Sequence, residues 1–126
     1  MEIKEKDFVK IFKNKKGMIK PALMDQHLLT GIGNVYADEI LFQSKIHPKT
    51  KINELNDKKI STLYKKMQFV LKTAIKNEAN PEKFPDYFLI PHRHSNQKCT
   101  VCDGSVKKIK VGGRGTYYCP KCQVLH

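Results

Sequence analysis

Apolar residues in the first half of the chain recur three or four positions apart, a spacing that predicts amphipathic helices. The first helix ends at Gly17 and turns three apolar residues inward: Phe8, Ile11 and Phe12. A second helix begins at Pro21, because proline suits the first helical position, and Lys20 before it is then held extended. Up to Gly31, the inward residues of this helix are Leu23, Leu28 and Leu29.

Two longer helices are predicted next. Asn34 is expected to be the N-cap of the third, which Pro48 prevents from continuing. Its inward residues are Tyr36, Ala37, Ile40, Leu41 and Ser44. Asn56 caps the fourth, where Leu55 and Ile60 are placed to form a hydrophobic staple. The apolar stripe of the fourth helix, which we interpret as core, is Leu63, Tyr64, Met67, Leu71, Ala74 and Ile75.

The rest of the chain differs in character. Pro81, Pro85 and Pro91 interrupt residues 80–97, which predicts a linker with at most short structure. Beyond it, "SVKKIKV" and "TYYC" are expected to be short strands joined by "GGRG" at 112–115, with Arg114 projecting from the turn. The fold class is therefore mainly α, with a helical domain over residues 1–90 and a linker and small β-hairpin over residues 91–126.

All four cysteines lie around this hairpin, as "CTVC" at 99–102 and "CPKC" at 119–122, with sixteen residues between the pairs. Two such pairs are what a tetrahedral four-thiolate site requires. We predict a zinc ribbon with one structural Zn²⁺ held by Cys99, Cys102, Cys119 and Cys122. Iron in a rubredoxin-like site is the main alternative, and a redox dithiol is a weaker one. Four thiolates leave no open coordination position, so the metal should stabilise the fold and not catalyse.

Charge narrows the class of partner. Twenty-four Lys and Arg against twelve Asp and Glu give a formal charge of +12, which favours a polyanion such as nucleic acid. A merely soluble basic surface would have the same composition. No apolar run approaches about 18 residues and the N-terminus lacks a signal-peptide core, so we expect an intracellular protein without membrane partners. Structural disulfides are then not expected.

The segment "GIGN" at 31–34 joins the second and third predicted helices. Glycines there allow a sharp turn and remove the Cβ atoms that would keep a phosphate from the unpaired N–H groups of the next helix. Asn34 could hydrogen-bond its own helix or a phosphate oxygen. From these residues alone, a plain helix–helix turn with a capping asparagine is the stronger interpretation.

Two segments resemble a known family. Residues 19–48, "IKPALMDQHLLTGIGNVYADEILFQSKIHP", closely resemble the helix-two-turn-helix DNA-binding element of formamidopyrimidine-DNA glycosylase and endonuclease VIII. Residues 112–123, "GGRGTYYCPKCQ", resemble the C-terminal zinc finger of that family. Both occur in the family's order. The resemblance implies the DNA-binding portion of a base-excision-repair DNA glycosylase, which grips the phosphates of duplex DNA around a damaged, flipped-out nucleotide.

The resemblance also implies roles for particular residues. Asn34 would contact a phosphate, assisted by backbone N–H groups around Gly33, and Lys20 would lie close to the same DNA backbone. Arg114 would be the phosphate clamp of the finger, a residue that the family also associates with the later elimination step. Positions that match supporting residues of the family are Asp25, Tyr36 and Glu39.

The chain departs from the family at its start. The family's nucleophile is the amine of an N-terminal proline, followed by a glutamate, at the head of a β-rich domain, whereas this sequence begins "MEIKE". The segment before Cys99 also lacks a glycine-rich lesion-covering loop. We therefore expect a monomer that is inactive alone, binds damaged or abasic duplex DNA, works in the cytoplasm at the nucleoid, and has a separate catalytic domain as a candidate partner.

Two alternatives stay open. Completed by a catalytic domain in cis or in trans, the protein would be an active glycosylase and abasic-site lyase. The amine of Lys20 or Met1 could also form a Schiff base with an abasic aldehyde. The other alternative is an RNA- or ribosome-binding zinc protein, since helix-two-turn-helix elements resemble part of a small-subunit ribosomal protein, although the finger with "GGRGT" argues against it.

Overall fold

The structure is a computed structural model that describes residues 4–24 and 33–125. Within these ranges the α-helices are α1 (Glu5–Lys13), α2 (Ile19–Leu23), α3 (Asn34–Ser44) and α4 (Asp57–Lys76), and an antiparallel hairpin follows them, formed by β1 (Lys107–Val111) and β2 (Arg114–Tyr118). Short 3₁₀ helices lie at Ile52–Glu54, Pro81–Lys83 and Ile90–His92. The mainly α class with a small hairpin is confirmed. Predicted features at Met1, Asp25, Leu28, Leu29 and Gly31 lie outside the described residues.

Helices α1, α3 and α4 enclose the main hydrophobic core. The side chain of Asn56 accepts a hydrogen bond from the backbone N–H of Lys59 at 2.8 Å, which confirms the predicted N-cap of α4. The buried face of α4 comprises Ile60, Leu63, Met67, Val70 and Ala74. Two residues predicted as inward point outward instead, since Ile11 is 38% and Ile75 is 78% exposed. Each directly adjoins a buried residue and is therefore about 100° away from it around the helix axis.

Helix α2 begins two residues earlier than predicted. Pro21 is its third residue, so Lys20 is helical and the prediction of an extended Lys20 is wrong. A proline is tolerated there because the first N–H groups of a helix have no intrahelical partner to lose. The backbone N–H of Ile19 donates to the Thr50 carbonyl at 2.8 Å, which anchors the start of the helix.

The start of α3 is also shifted. Gly33 is the N-cap residue and Asn34 is the first helical residue, without a side-chain cap, so the prediction of Asn34 as N-cap is wrong. The helix ends at Ser44 because Lys45 adopts a left-handed conformation with φ of 58°. The Asn34 side chain is thereby available for contacts outside its own helix.

Residues 80–97 are more than a linker. Phe84, Phe88 and Leu89 are buried, and the ring of Phe88 packs against Phe84 and Phe69 of α4. The prolines hide this in the sequence because buried residues of an irregular segment follow no regular period. The segment carries the chain from the helical core to the hairpin. No helix in residues 4–24 or 33–125 is both long and apolar enough to cross a membrane.

The hairpin turn is tighter than predicted. Gly112 and Gly113, with φ of 57° and 78°, form a two-residue turn, a geometry that favours glycine at both positions. Arg114 therefore pairs with Val111 as the first residue of β2. It is exposed, as expected, but it lies at the strand start and not at the tip of the turn.

Candidate nucleic-acid interface and metal centre

The four cysteine thiols converge on one point. Their Sγ atoms all lie within 4.8 Å of one another, at 3.7 Å for Cys99 and Cys122 and 3.5 Å for Cys102 and Cys119. Tetrahedral zinc with bonds of about 2.3 Å places its sulfur ligands about 3.8 Å apart. All four thiols are free of disulfides. The donor set and its spacing fit a single Zn²⁺, which confirms the predicted structural zinc site.

Backbone N–H groups support the first cysteine pair. Val101 donates to Cys99 Sγ at 3.4 Å, and Gly104 donates to Cys102 Sγ at 3.2 Å. The Gly104 N–H lowers the pKa of Cys102 to about 7, whereas burial raises the pKa of Cys119. A divalent cation at the centre would supply the positive charge that stabilises all four thiolates.

The metal centre is packed directly onto the helical domain. A second hydrophobic cluster joins Phe42 of α3 to Leu89, Val106 and the buried cysteines. Gln123 also links the two parts: its Oε1 accepts from the N–H of Cys119 at 2.9 Å, and its Nε2 donates to the Ile46 carbonyl at 2.9 Å. The metal centre therefore contributes to holding the hairpin against α3.

A cleft of about 410 Å³ lies between α2, the start of α3 and the hairpin turn. We call it the basic cleft; its lining residues are Lys20, Pro21, Met24, Gly33, Asn34, Val111, Gly112 and Arg114. The structure thus brings together Lys20, Gly33, Asn34 and Arg114, the four residues for which a DNA-binding role is predicted. Of the predicted supporting residues, Tyr36 packs against the helical core and Asp25 lies outside the described residues.

Asn34 joins the helical domain to the hairpin. Its Nδ2 donates to the carbonyl of Gly115 at 2.9 Å, and its Oδ1 is buried with no hydrogen-bond partner within residues 4–24 and 33–125. The first hydrogen bond of α3 runs from the Ala37 N–H to the Gly33 carbonyl at 2.9 Å. The three preceding N–H groups thus have no partner in the helix and carry its positive dipole end. Within residues 4–24 and 33–125, a Cβ built on Gly33 would meet no atom within 4 Å.

Lys20 lies at the floor of the basic cleft and is only 1% exposed. Its Nζ is 2.7 Å from Asp38 Oδ1 and donates to Thr116 Oγ1 at 2.5 Å. Burial lowers the pKa of Lys20 from its ordinary value, and the Asp38 carboxylate opposes that shift. The cation is therefore held by a strand of the finger and by α3 at the same time.

Asp38 was not identified from the sequence. Its Oδ2 accepts from Arg93 Nε at 3.1 Å, from Arg93 Nη2 at 2.9 Å and from the Tyr117 N–H at 3.0 Å. The Arg93 guanidinium also lies 4.6 Å from the centre of the Tyr117 ring. Its position in the sequence could have identified it, because Asp38 follows Asn34 by four residues and shares its helical face.

Glu39 turns away from the basic cleft. Its Oε1 accepts from the Ile90 N–H at 2.7 Å, and its Oε2 accepts from the Leu89 N–H and Gln43 Nε2, each at 3.0 Å. Burial raises the pKa of Glu39, while these hydrogen bonds oppose the shift. The carboxylate fixes the short helix Ile90–His92 against α3, and any support that it gives to the cleft is indirect.

Replacing Glu39 by glutamine should change how stability depends on pH. In the folded state the pKa of Glu39 is raised above its ordinary value of 4.5. At any pH between 4.5 and that raised pKa, the folded state therefore binds more protons than the unfolded state. The unfolding free energy of the wild type should therefore fall as pH rises from about 4.5 through the folded pKa, and Glu39→Gln should lack this part of the fall. Urea denaturation across that range with zinc in excess measures it, with exposed Glu54→Gln as the control. Parallel curves for wild type and Glu39→Gln would contradict the expectation.

Comparison with known proteins identifies the two parts of the chain. Residues 1–85 match the model of the formamidopyrimidine-DNA glycosylase H2TH (helix-two-turn-helix) domain. Residues 96–124 match the zinc finger found in formamidopyrimidine-DNA glycosylase (FPG) and isoleucyl-tRNA synthetase (IleRS). The chain belongs to the formamidopyrimidine-DNA glycosylase family. The resemblance seen in the sequence is thereby confirmed.

Members of this family are similar to the chain along nearly all of its length. The formamidopyrimidine-DNA glycosylase of Mycoplasma mobile is 38% identical over an alignment of 130 residues, which takes in 95% of this chain and 47% of that protein. The Ureaplasma parvum enzyme is 40% identical over 126 residues, covering 92% of this chain and 46% of that protein. The chain thus spans about half the length of the curated relatives that it matches.

Solved structures of formamidopyrimidine-DNA glycosylases have the same fold. The Lactococcus lactis enzyme bound non-covalently to DNA containing an abasic (AP) site is 34% identical, with a TM-score of 0.83, over 97% of this chain and 47% of that one. A Lactococcus lactis mutant in complex with DNA containing the lesion Fapy-dG has the same identity and TM-score, over 97% of this chain and 48% of that one. The arrangement of helical domain and zinc finger is therefore that of family members that bind damaged DNA.

Proposed function

We propose that this chain is the DNA-binding portion of a base-excision-repair DNA glycosylase and that the basic cleft binds phosphates of duplex DNA around a damaged nucleotide. The observation that carries the proposal is the convergence of Asn34, Gly33 and Arg114 on one cleft from two separate parts of the fold. Lysine or arginine residues scattered over a solvated surface would not be expected to meet a helix N-terminus in this way.

Each wall of the basic cleft offers a different kind of hydrogen-bond donor to a phosphate. The first N–H groups of α3, which have no partner within the helix, and the helix dipole stabilise an anion without a cationic side chain. The exposed guanidinium of Arg114 can bind two oxygens of the same phosphate or of its neighbour. Asn34 Nδ2 has a second hydrogen, beyond the one given to Gly115, that it can donate. These donors recognise the DNA backbone and carry no direct sequence information.

Lys20 lies beneath the surface of the basic cleft and acts indirectly. Because its side chain is 1% exposed and its Nζ is paired with Asp38, it contributes to the fold of the cleft and to its positive field. A buried, paired ammonium is poorly suited to attack an abasic aldehyde, so the geometry argues against Lys20 as a Schiff-base amine. Catalysis would fall to a separate catalytic domain in cis or in trans, with this chain binding the DNA as a monomer at the nucleoid.

The relatives favour damaged duplex DNA over RNA as the ligand. Their solved complexes contain DNA with an abasic site or a Fapy-dG lesion. The same helical domain and finger, with Arg114 beside the start of α3, would serve this chain in the same way. Competition between duplex DNA and a structured RNA at fixed salt tests the choice, and a preference for the RNA would favour the alternative of an RNA-binding zinc protein.

Alanine substitution of Arg114 or Asn34 tests the site directly. Each should weaken binding to a short duplex by about tenfold, and Arg114→Ala should also reduce the salt slope by about one phosphate. Helical content and zinc content should stay unchanged. Lys72→Ala, which removes an exposed positive charge from α4, is the control for net charge alone. If Arg114→Ala and Lys72→Ala have equal effects, the assignment of the basic cleft is wrong.

A pair of glycine substitutions tests the shape of the cleft. Alanine at Gly112 or Gly113 costs roughly 1–2 kcal/mol of stability, because both φ angles are positive. At Gly112 the new Cβ would also lie 3.2 Å from Pro21 Cγ, whereas at Gly113 it would meet no atom of the described residues within 4 Å. Gly112→Ala should therefore displace the turn from α2 and weaken DNA binding more than Gly113→Ala. Equal affinities of the two variants, measured by fluorescence anisotropy, would contradict this.

A further inference from the structure

We propose that Asp38 is a positioning residue that holds the finger in register with the start of α3, so that Arg114 and Asn34 act on the same stretch of DNA backbone. The inference rests on the proposed function of the basic cleft and assigns a role to a residue behind it. Asp38 itself is 1% exposed and would not touch DNA.

The contacts of this carboxylate reach three separate segments. Oδ1 pairs with Lys20 of α2, and Oδ2 accepts from both the Arg93 side chain and the N–H of Tyr117 in β2. A backbone N–H bound by a buried carboxylate fixes the strand itself. Because Tyr117 is three residues after Arg114 in a paired strand, fixing its amide also restricts where Arg114 can lie.

A second contact sits one helical turn away. Asn34 Nδ2 binds the carbonyl of Gly115, and Lys20 Nζ, held by Asp38, binds Thr116 Oγ1. Three consecutive residues of β2, Gly115, Thr116 and Tyr117, are thus attached to α3 directly or through Lys20. Two points of attachment on one helical face prevent the strand from sliding or pivoting, whereas one would not.

Charge explains why a carboxylate is needed. Asp38 lies between two cations, Lys20 and Arg93, and it accepts from a backbone amide as well. An asparagine would keep the shape but would turn an N–H group toward some of these donors and leave the buried Lys20 and the largely buried Arg93 without this anion. The expected consequence of Asp38→Asn is a finger that keeps its zinc but is loosely placed against α3.

A double-mutant cycle on duplex-DNA affinity separates positioning from general stability. Arg114→Ala should weaken binding about tenfold in the wild type but less than about twofold in Asp38→Asn, a coupling of at least about fivefold. All proteins are assayed at one temperature well below their melting points, after zinc content is verified. The control cycle uses Asp57→Asn, which makes the same change of charge at an exposed position of α4 and should be additive with Arg114→Ala.

The outcomes are distinguishable. If Arg114→Ala has no effect in the wild type, the proposed function is wrong, and this inference, which rests on it, is wrong as well. If Arg114→Ala weakens binding equally in the wild type and in Asp38→Asn, the function stands and the positioning role is refuted. Should Asp38→Asn fail to fold, Arg93→Gln replaces it, because it removes two of the donors to Oδ2 from a side chain that is 18% exposed. The same non-additivity is then required, and additivity overturns the inference.

Discussion

Substitution of Cys119 by serine is expected to abolish zinc binding and to unfold the hairpin. Cys119 is fully buried in the cluster that joins the finger to Phe42 of α3, so its loss removes a metal ligand and a packing contact together. Apparent binding free energies of structural zinc in finger peptides are about 10–16 kcal/mol, and that energy is folding energy of the finger. The basic cleft should lose the side that the hairpin forms, including Arg114, and DNA binding should weaken by more than about a hundredfold.

Zinc content, thermal unfolding and duplex affinity measured on one preparation check this expectation. A chelator should have the same effect on the wild type, and added zinc should reverse it there but not in Cys119→Ser. Ser105→Ala, an exposed change within the finger, is the matched control and should keep one zinc per chain. A Cys119→Ser protein that retained zinc, the wild-type melting temperature and DNA binding would refute the role of the metal centre.

Replacing Lys20 by methionine should produce the second large effect. The two side chains are similar in length, but methionine leaves Asp38 Oδ1 without its cation and Thr116 Oγ1 without its donor. Removing one partner of a buried ion pair costs about 3–5 kcal/mol, and the remaining contact of Asp38 with Arg93 places the expected loss at about 3 kcal/mol. DNA binding should weaken as well, because both positive charge and the anchoring of β2 are lost.

Chemical denaturation with a linear extrapolation measures the stability loss, and Lys72→Met, at an exposed position of α4, is the control. The control should change stability by less than about 0.5 kcal/mol. A Lys20→Met protein as stable as Lys72→Met would mean that the buried cation is not needed, and the account of the cleft floor would then be wrong.

The features that could be predicted from the sequence are those that neighbouring residues specify. Two C-x2-C pairs define a metal site by spacing alone, and Asn56 caps α4 because its partner, the Lys59 N–H, is three residues away. The apolar period of α4 likewise places Leu63 and Met67 in the core. In each case, a short local pattern carries the signal: one turn of helix, or a C-x2-C pair that occurs twice.

The contacts of Asn34 and Asp38, which were missed, depend on residues far apart in the chain. Asn34 looks like an N-cap, yet its partner is the carbonyl of Gly115, 81 positions later. Asp38 looks like a surface residue of an amphipathic helix until the Tyr117 N–H, 79 positions later, is brought against it. Local propensity could not anticipate either contact, because tertiary packing of the finger on α3 creates both.

Binding of the basic cleft to DNA phosphates near a lesion can be measured with two matched duplexes, one intact and one with an abasic-site analogue, across a salt series. We expect a steep salt dependence, equivalent to at least about three phosphates, and tighter binding to the abasic duplex. A slope equivalent to fewer than about two phosphates, with no preference between the duplexes, would contradict it.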